Sequence, residues 1–275
     1  MKITLALPSR SRPAGLFAVL TAMDALATGN HEITYAVVVD DDDYVTMEHM
    51  DHWQKSGMLP QNVQVLAGPR DKTINARVND AIAKYPADIY SQIVDDCFPL
   101  AQHWDAMFHA VKELPAFCWK EMNDPNNATF LNISERWRAA TGRFYPEYFP
   151  FWFADTWLAE VNVMATGKPI PVINQLGMGG KRGKTQGMRD LAFWFNFFAE
   201  TRVERIEEAK AVSAAFGMEY THNPELIATF EAGDANQLTR VDAYQGALQG
   251  DEFISPVYIK AKARADAWLE TRAAA

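Results

Sequence analysis

The feature that most constrains the fold is the alternation of strand and helix patterns along the N-terminal part of the chain. Short apolar runs rich in β-branched residues recur at 3–7, 33–39, 63–67 and 88–94. The stretches between them include apolar residues at helical spacing, as at 16–26. Strands that alternate with helices pair in parallel through right-handed crossovers. The pattern therefore predicts an α/β fold with a mixed, mainly parallel sheet flanked by helices.

Polar or charged residues follow each of these predicted strands. They lie at 8–12, 40–43, 68–71 and 95–96. In open sheets of this kind, ligands bind beyond the carboxyl ends of the strands. Four polar strand ends at one edge of the sheet are typical of a nucleotide site, and this coincidence is stronger than any one of them alone.

Asp95 and Asp96 form the most specific of these strand ends. Adjacent carboxylates repel each other, which disfavours charge on both unless a cation or hydrogen-bond donors compensate. For an all-oxygen site the usual cation is Mg²⁺ or Mn²⁺, often shared with substrate phosphates. The alternative is a solvated strand end without a ligand.

Composition places the chain among ordinary globular enzymes. Of its 275 residues 48% are apolar, and the formal net charge is −9, which disfavours a nonspecific nucleic-acid coat protein. Cys97 and Cys118 form no CxxC spacing, which favours a reducing compartment. The apolar run at the N-terminus is too short for a signal peptide, and none reaches the roughly 20 residues that span a bilayer. We therefore expect a cytoplasmic protein without a membrane span.

The second half of the chain has a different character. Residues 143–157 are dense in aromatic side chains, and the pattern predicts a helix over 156–165 and a strand over 169–174. A loop at 177–189 is rich in glycine and basic residues, and the pattern from 191 onward is mainly helical. These features predict a catalytic domain over 1–190 and a helical C-terminal extension over 191–275 packed on it.

Several motifs, taken in order, resemble the glycosyltransferases of the GT-A fold, in particular the family-2-like group. They are Pro8-Ser-Arg-Ser-Arg-Pro13, Asp40, Asn75-Ala-Arg-Val-Asn79, Val94-Asp-Asp-Cys97 followed by Trp104-Asp105, and Phe151-Trp-Phe-Ala-Asp155-Thr-Trp157. Two departures stand out: the metal motif is Asp-Asp-Cys and not Asp-x-Asp, and the 177–189 loop lacks the metal-binding His often found there.

The resemblance implies a Rossmann-like GT-A sheet and metal-dependent sugar transfer from a nucleoside-diphosphate sugar, with a UDP-sugar as the expected donor. It implies Mn²⁺ or Mg²⁺ bound by Asp96 and Asp95, Asp95 also being suited to the ribose, and Asp155 as the general base of an inverting reaction. The residues expected to bind the nucleotide sugar are Pro8, Ser9, Arg10, Arg12, Asp40, Asn75, Arg77, Asp95, Lys181, Lys184 and Arg189.

Alternatives stay open at this stage. Asp155 also suits the cap of a helix starting at Thr156, and Asn75 and Arg77 also suit a helix start facing solvent. A sugar nucleotidyltransferase is a second enzyme class, although it wants a glycine-rich loop after the first strand. An inactive carbohydrate- or nucleic-acid-binding module is a third. The acceptor is open among a glycan, a lipid-linked sugar, a protein, a small molecule and a hydroxylated DNA base, and so is the oligomeric state.

Overall fold

A mixed eight-stranded sheet forms the centre of the molecule. The structure is a computed structural model that describes residues 1–121, 130–150, 153–178, 191–233 and 256–273. The strands are β1 (Lys2–Pro8), β2 (Glu32–Asp40), β3 (Val63–Gly68), β4 (Ile89–Gln92), β5 (Cys97–Pro99), β6 (Ala116–Glu121), β7 (Phe130–Ser134) and β8 (Val172–Met178).

Helices cover both faces of this sheet. They are α1 (Pro13–Ala25), α2 (Tyr44–Lys55), α3 (Ile74–Lys84), α4 (Ala106–Val111), α5 (Glu135–Thr141), α6 (Ala154–Thr166), α7 (Leu191–Glu200), α8 (Arg202–Ala215), α9 (224–233) and α10 (Pro256–Ala273). Among the described residues no helix is both long and apolar enough to cross a bilayer.

The strand order, β3-β2-β1-β4-β7-β6-β8-β5, places a topological switch point at the centre of the sheet. β1 pairs in parallel with β2 on one side and with β4 on the other, and β2 pairs in parallel with β3. The chain thus winds outward from β1 to β3 and then returns to the other side of β1 as β4. In such sheets the crevice beyond the carboxyl ends of the two strands at the switch point binds the ligand.

Alternation along the strands divides the core into two layers. In β1, Ile3, Leu5 and Leu7 face the layer that contains Leu16 of α1, while Ala6 faces the opposite layer. The period-two pattern sends successive side chains to opposite faces of a strand, which is why β1 is buried on both sides. The result is a three-layer α/β/α arrangement, as the alternating sequence predicted.

The C-terminal helices share a core with the N-terminal part of the chain. Trp194 and Phe198 of α7 belong to the same buried cluster as Phe149 and Trp157, together with Tyr258 of α10. The helical C-terminal extension over 191–275 stays a prediction as a unit. A division of the chain into domains at residue 190 stays a prediction, because 179–190 lie outside the described residues.

Two element boundaries and three additional strands correct the sequence expectations. α6 begins at Ala154 and not at Thr156, so Asp155 lies inside its first turn. β8 runs over Val172–Met178 and not over 169–174, so Gly177 belongs to the strand. The short strands β5, β6 and β7 were not predicted from the sequence.

Candidate active site

The loop between β1 and α1 is fixed at the switch point by short hydrogen bonds. The backbone N–H of Ser9 donates to the carbonyl of Val38 at 3.0 Å, and its Oγ donates to Oδ2 of Asp95 at 2.6 Å. Ser11 has a φ of 55°, a rare conformation for a residue with a side chain, and its N–H donates to Oδ2 of Asp43 at 2.7 Å. These bonds join the ends of β1, β2 and β4.

Arg12 bridges the two carboxylates that follow β4. Its Nη1 lies 2.7 Å from Oδ1 of Asp95 and its Nη2 lies 2.9 Å from Oδ2 of Asp96. The two carboxylates are almost fully buried, with side-chain exposures of 5% and 11%, whereas 37% of the Arg12 side chain is exposed. The predicted residues Ser9, Arg12, Asp95 and Asp96 thus form one cluster.

Burial and charge act in opposite directions within this cluster. Burial raises the pKa of Asp95 above its ordinary value, and the Ser9 hydroxyl and the charge of Arg12 offset only part of that increase. For Arg12, burial opposes the charged form, but the hydrogen bond to Asp96 and the charges of both aspartates outweigh it and raise the pKa of the guanidinium. The positive charge of Arg12 thus opposes the effect of burial on Asp95 without cancelling it.

Gly15 lets helix α1 approach this pair and was missed in the sequence. A Cβ atom added at Gly15 would lie 2.7 Å from the backbone oxygen of Asp95, which is closer than real Cβ contacts allow. Glycine inside a helix costs about 1 kcal/mol relative to alanine, so its presence in the first turn of α1 needs a reason. Close approach of the Asp95 backbone supplies that reason.

A second arginine bridge lies beside the first. Nη1 of Arg10 lies 2.7 Å from Oδ2 of Asp40 and 2.5 Å from Oδ1 of Asp42. Hydrogen bonding to Arg10 lowers the pKa of Asp42. The predicted Arg10 and Asp40 therefore lie together at the end of β2.

Two polar side chains of helix α3 donate hydrogen bonds to backbone carbonyls of other segments. The Nη2 of Arg77 donates to the carbonyls of Val39 at 3.0 Å and Leu66 at 2.9 Å, and a Cβ at Gly68 would clash with the guanidinium. The Nδ2 of Asn75 donates to the carbonyl of Phe149 at 3.2 Å. Both side chains are buried. Nucleotide binding by Asn75 and Arg77 stays a prediction.

Asp155 lies in the first turn of α6. Its Oδ1 accepts a hydrogen bond of 2.8 Å from the backbone N–H of Thr156, and burial raises the pKa of its carboxyl above the ordinary value. The N-cap position is taken by Phe153, with a φ of 71° and no side-chain cap, so the cap alternative for Asp155 is wrong. Among the described residues no lysine or arginine forms an ion pair with Asp155.

Tyr145 is hydrogen-bonded to the end of β4 and is influenced by the charge of Asp155. Burial, together with the negative charge of Asp155, raises the pKa of the Tyr145 hydroxyl. That hydroxyl donates to Oε1 of Gln92, the last residue of β4, at 3.3 Å. Asn79 fixes Tyr145 by accepting from its N–H at 3.1 Å and donating to its carbonyl at 2.9 Å. The hydroxyl that is bonded to the end of β4 therefore lies within the electrostatic range of Asp155.

Helix α8 holds α6 in place through buried charges. The Nε1 of Trp157 donates to Oε2 of Glu208 at 2.6 Å, and Arg143 pairs with the same carboxylate. One turn further along α6, Glu160 lies 2.7 Å from Nε of Arg205, which is fully buried. These contacts set the position of the helix that carries Asp155.

The donor set at Asp95 and Asp96 fits a divalent cation of the Mg²⁺ type. Such ions keep several waters and are bound through one or two carboxylates plus substrate phosphates. Among the described residues no group of three or more His, Cys, Asp or Glu side chains could hold a metal by itself. Asp95 and Asp96 therefore match a site in which the protein supplies two carboxylates and the substrate phosphates supply further ligands.

Several motif residues lie elsewhere. Lys181, Lys184 and Arg189 lie outside the described residues, as do Phe151 and Trp152. Asp105, which follows the metal motif, is fully buried and accepts hydrogen bonds of 2.7 Å and 2.5 Å from the N–H and Oγ1 of Thr28. It fastens the connection between α1 and β2.

A groove of about 450 Å³ lies at the opposite edge of the sheet, lined by residues such as Met1, Asp88 and Glu135. Two of its carboxylates are already engaged: Asp88 accepts from the N–H of Lys2 at 2.7 Å, and Glu135 pairs with Arg138. The polar strand ends that the topology brings together are at the other edge.

Solved structures with the same fold are glycosyltransferases. The mannosyltransferase PcManGT from Pyrobaculum calidifontis, in complex with GDP-Man and Mn²⁺, is 12% identical with a TM-score of 0.55, covering 97% of this chain and 87% of its own. TarS 1–349 of S. aureus, in complex with UDP-GlcNAc, is 12% identical with a TM-score of 0.62, covering 95% of this chain and 79% of its own. No protein-family model and no curated protein matches the chain.

The chain has the fold of these glycosyltransferases, which confirms the predicted GT-A-type architecture. Identities of 12% speak for the fold alone. The assignment to the family-2-like group stays a prediction.

Proposed function

We propose that this protein is a metal-dependent glycosyltransferase that moves a sugar from a nucleoside-diphosphate sugar to an acceptor hydroxyl. The observation that carries the proposal is the buried Asp95–Asp96 pair at the switch point between β1 and β4, in a fold shared with enzymes solved with nucleotide sugars. The crevice at such a switch point is where open α/β sheets bind nucleotides.

Asp96 and Asp95 would hold Mn²⁺ or Mg²⁺, which as a Lewis acid would stabilise the charge that develops on the leaving diphosphate. Ser9 fixes the direction of Asp95, and Pro8 ends the strand that presents this loop. Arg10 and Arg12 offer planar forked donors suited to phosphate, and Asp40 offers an acceptor for the base or ribose. Lys181, Lys184 and Arg189 are proposed as further donors to the diphosphate.

Asp155 would act as the general base and take the proton from the acceptor hydroxyl. A base works best when its pKa lies closer to the working pH than that of an ordinary carboxylate, and burial moves the pKa of Asp155 in that direction. A carboxylate that deprotonates the acceptor for direct attack on the sugar gives inversion at the anomeric carbon.

The acceptor stays open among a glycan, a protein, a small molecule and a hydroxylated DNA base. A UDP-sugar is the expected donor and the cytoplasm the expected compartment. For the donor, GDP-Man and UDP-GlcNAc are the first candidates, because the two solved structures were determined with them.

The decisive experiment is a panel of nucleotide sugars, beginning with these two, tested for binding and for slow hydrolysis with and without Mn²⁺. We expect at least one to bind with an affinity that falls when the metal is removed by a chelator. If no nucleotide sugar binds in a metal-dependent manner, the proposal is wrong.

A further inference from the structure

The carboxylates proposed to bind the metal already hold a cation, the guanidinium of Arg12. It spans both residues, with one nitrogen on Asp95 at 2.7 Å and the other on Asp96 at 2.9 Å. Two carboxylates and one guanidinium leave a net charge of −1. Any divalent cation that binds these oxygens must therefore compete with a positive charge built into the chain.

The contacts of Arg12 allow its side chain to leave while its backbone stays in place. The carbonyl of Arg12 accepts from the N–H of Leu16 at 3.0 Å, and Ser9 and Ser11 fix the preceding loop through the bonds described above. The side chain itself is more than a third exposed, whereas the two carboxylates are buried. Exchange at this site would thus move the Arg12 guanidinium rather than the aspartates.

We propose that Arg12 is an internal counter-cation that couples metal binding to donor binding, so that the pair is released to the metal only when a diphosphate arrives with it. This inference rests on the proposed function. A guanidinium and a divalent ion repel each other strongly within a few ångströms. The negative charge of a diphosphate removes that repulsion, and the freed guanidinium is a suitable partner for phosphate. By linkage, metal and nucleotide then strengthen each other's binding equally.

Arg10 provides a matched comparison within the same loop. It also bridges two carboxylates, at 2.7 Å and 2.5 Å, but these are Asp40 and Asp42. Its side chain is as exposed as that of Arg12. Removing either arginine therefore changes the net charge equally, but only Arg12→Met exposes the Asp95–Asp96 pair.

The test measures the affinity of Mn²⁺ alone, and then with UDP or GDP, by titration calorimetry for the wild type, Arg12→Met and Arg10→Met. Without nucleotide, we expect Arg12→Met to bind Mn²⁺ about tenfold more tightly than the wild type, the scale of a typical coupling between sites. Arg10→Met should change this affinity much less. The gain in Mn²⁺ affinity that UDP or GDP confers should shrink in Arg12→Met by a similar factor.

An unchanged Mn²⁺ affinity in Arg12→Met, or an equal increase in Arg10→Met, would overturn the coupling role. Arg12→Lys keeps the charge but offers one ammonium group in place of the bridging guanidinium, so its Mn²⁺ affinity should lie between those of wild type and Arg12→Met. Arg12→Lys replaces Arg12→Met in the test if the circular dichroism spectrum of Arg12→Met shows that it is unfolded. If wild type shows no metal-dependent nucleotide binding, the proposed function itself fails. If wild type binds nucleotide with Mn²⁺ and Arg12→Met behaves identically, only the inference about Arg12 fails.

Discussion

Two acidic centres of this molecule are built in opposite ways. At the strand ends, Asp95 and Asp96 are bridged by Arg12, and Asp40 and Asp42 by Arg10, so that each of these four carboxylates has a cation on it. In the first turn of α6, Asp155 accepts a hydrogen bond from the backbone N–H of Thr156, and no described cation pairs with it. A paired cation is therefore what separates the first centre from the second.

The difference indicates two kinds of chemistry. Adjacent carboxylates that share a cation are suited to exchange that cation for a metal ion, and a carboxylate that has a raised pKa and no paired cation is suited to exchange protons. The two centres also differ in their supports: the first is held by a loop and a glycine contact, and the second by aromatic rings and the buried ion pairs of α8. Single substitutions in each centre test these differences.

The largest expected effect comes from Asp155→Asn. An amide has nearly the same shape but accepts no proton, so we expect kcat to fall by about 10³-fold, within the range of general base catalysis. The dissociation constant for the nucleotide sugar should stay within a factor of two or so, because Asp155 is proposed to act only on the acceptor. Steady-state kinetics and donor titration measure the two quantities separately.

Asp96→Asn is the counterpart from the other centre. It should abolish metal-dependent donor binding and thereby transfer as well. Equal loss of donor binding in both variants would show that the two carboxylates do not have separate roles.

The second effect concerns the arginine pairs that support each acidic centre. Arg205 is fully buried, lies on Glu160 at 2.7 Å and covers the ring of Phe198 at 3.7 Å. Arg205→Met should lower the free energy of unfolding by about 3 kcal/mol, since it removes a fully buried partner of Glu160 and leaves that carboxylate with the longer pair to Arg202 at 3.3 Å. Arg10→Met removes a partly exposed pair and should cost less than about 1 kcal/mol. Urea denaturation checks both, and similar losses would remove the distinction between the two supports.

The residue pattern was enough to predict the α/β sheet and the edge at which its polar strand ends meet. It also pointed to four residues that the structure brings together, Ser9, Arg12, Asp95 and Asp96. Parallel strands force their carboxyl ends together, so position along the chain translated directly into position in space. The strands β5 to β7 were missed, because two of them pair with neighbours far along the chain and carry no strong local period.

Tertiary contacts explain what pattern did not provide. Nothing in the local sequence shows that Gly15 touches the backbone of Asp95, or that Asn75 and Arg77 bind carbonyls of other segments. Glu208 of α8 accepts a hydrogen bond from Trp157, and its position in a charged helix gives no sign of this contact in the sequence. A glycine in the first turn of a helix was the one signal that could have pointed to a close contact.

Gly15→Ala tests the loop side of the comparison with a smaller change. The added Cβ must push the Asp95 backbone away, so we expect Mn²⁺-dependent nucleotide affinity to fall about tenfold, equivalent to about 1.4 kcal/mol. Global stability should change little, because better helix propensity offsets the clash. Gly233→Ala is the control, since its Cβ would meet nothing within 4 Å. Unchanged affinity in Gly15→Ala would mean that the exact place of Asp95 is unimportant.

The smallest expected effect is the difference in the free energy of unfolding between wild type and Asp155→Asn. Its sign tells whether burial destabilises the charged form of Asp155. Burial raises its pKa in the folded state, so the folded protein holds this proton more tightly than the unfolded chain does. Stability contributed by this group is therefore full below the unfolded-state pKa and is lost as the pH rises through the folded-state pKa. Asp155→Asn should then be slightly more stable than wild type at pH 7, and the difference should vanish below about pH 4, the ordinary range for aspartate. A carboxylate in the first turn of a helix also gains from the helix dipole, which Asn would lose. If urea denaturation finds Asp155→Asn less stable at pH 7, that attraction outweighs desolvation, and Asp155 is not the proton-exchanging carboxylate that the comparison requires.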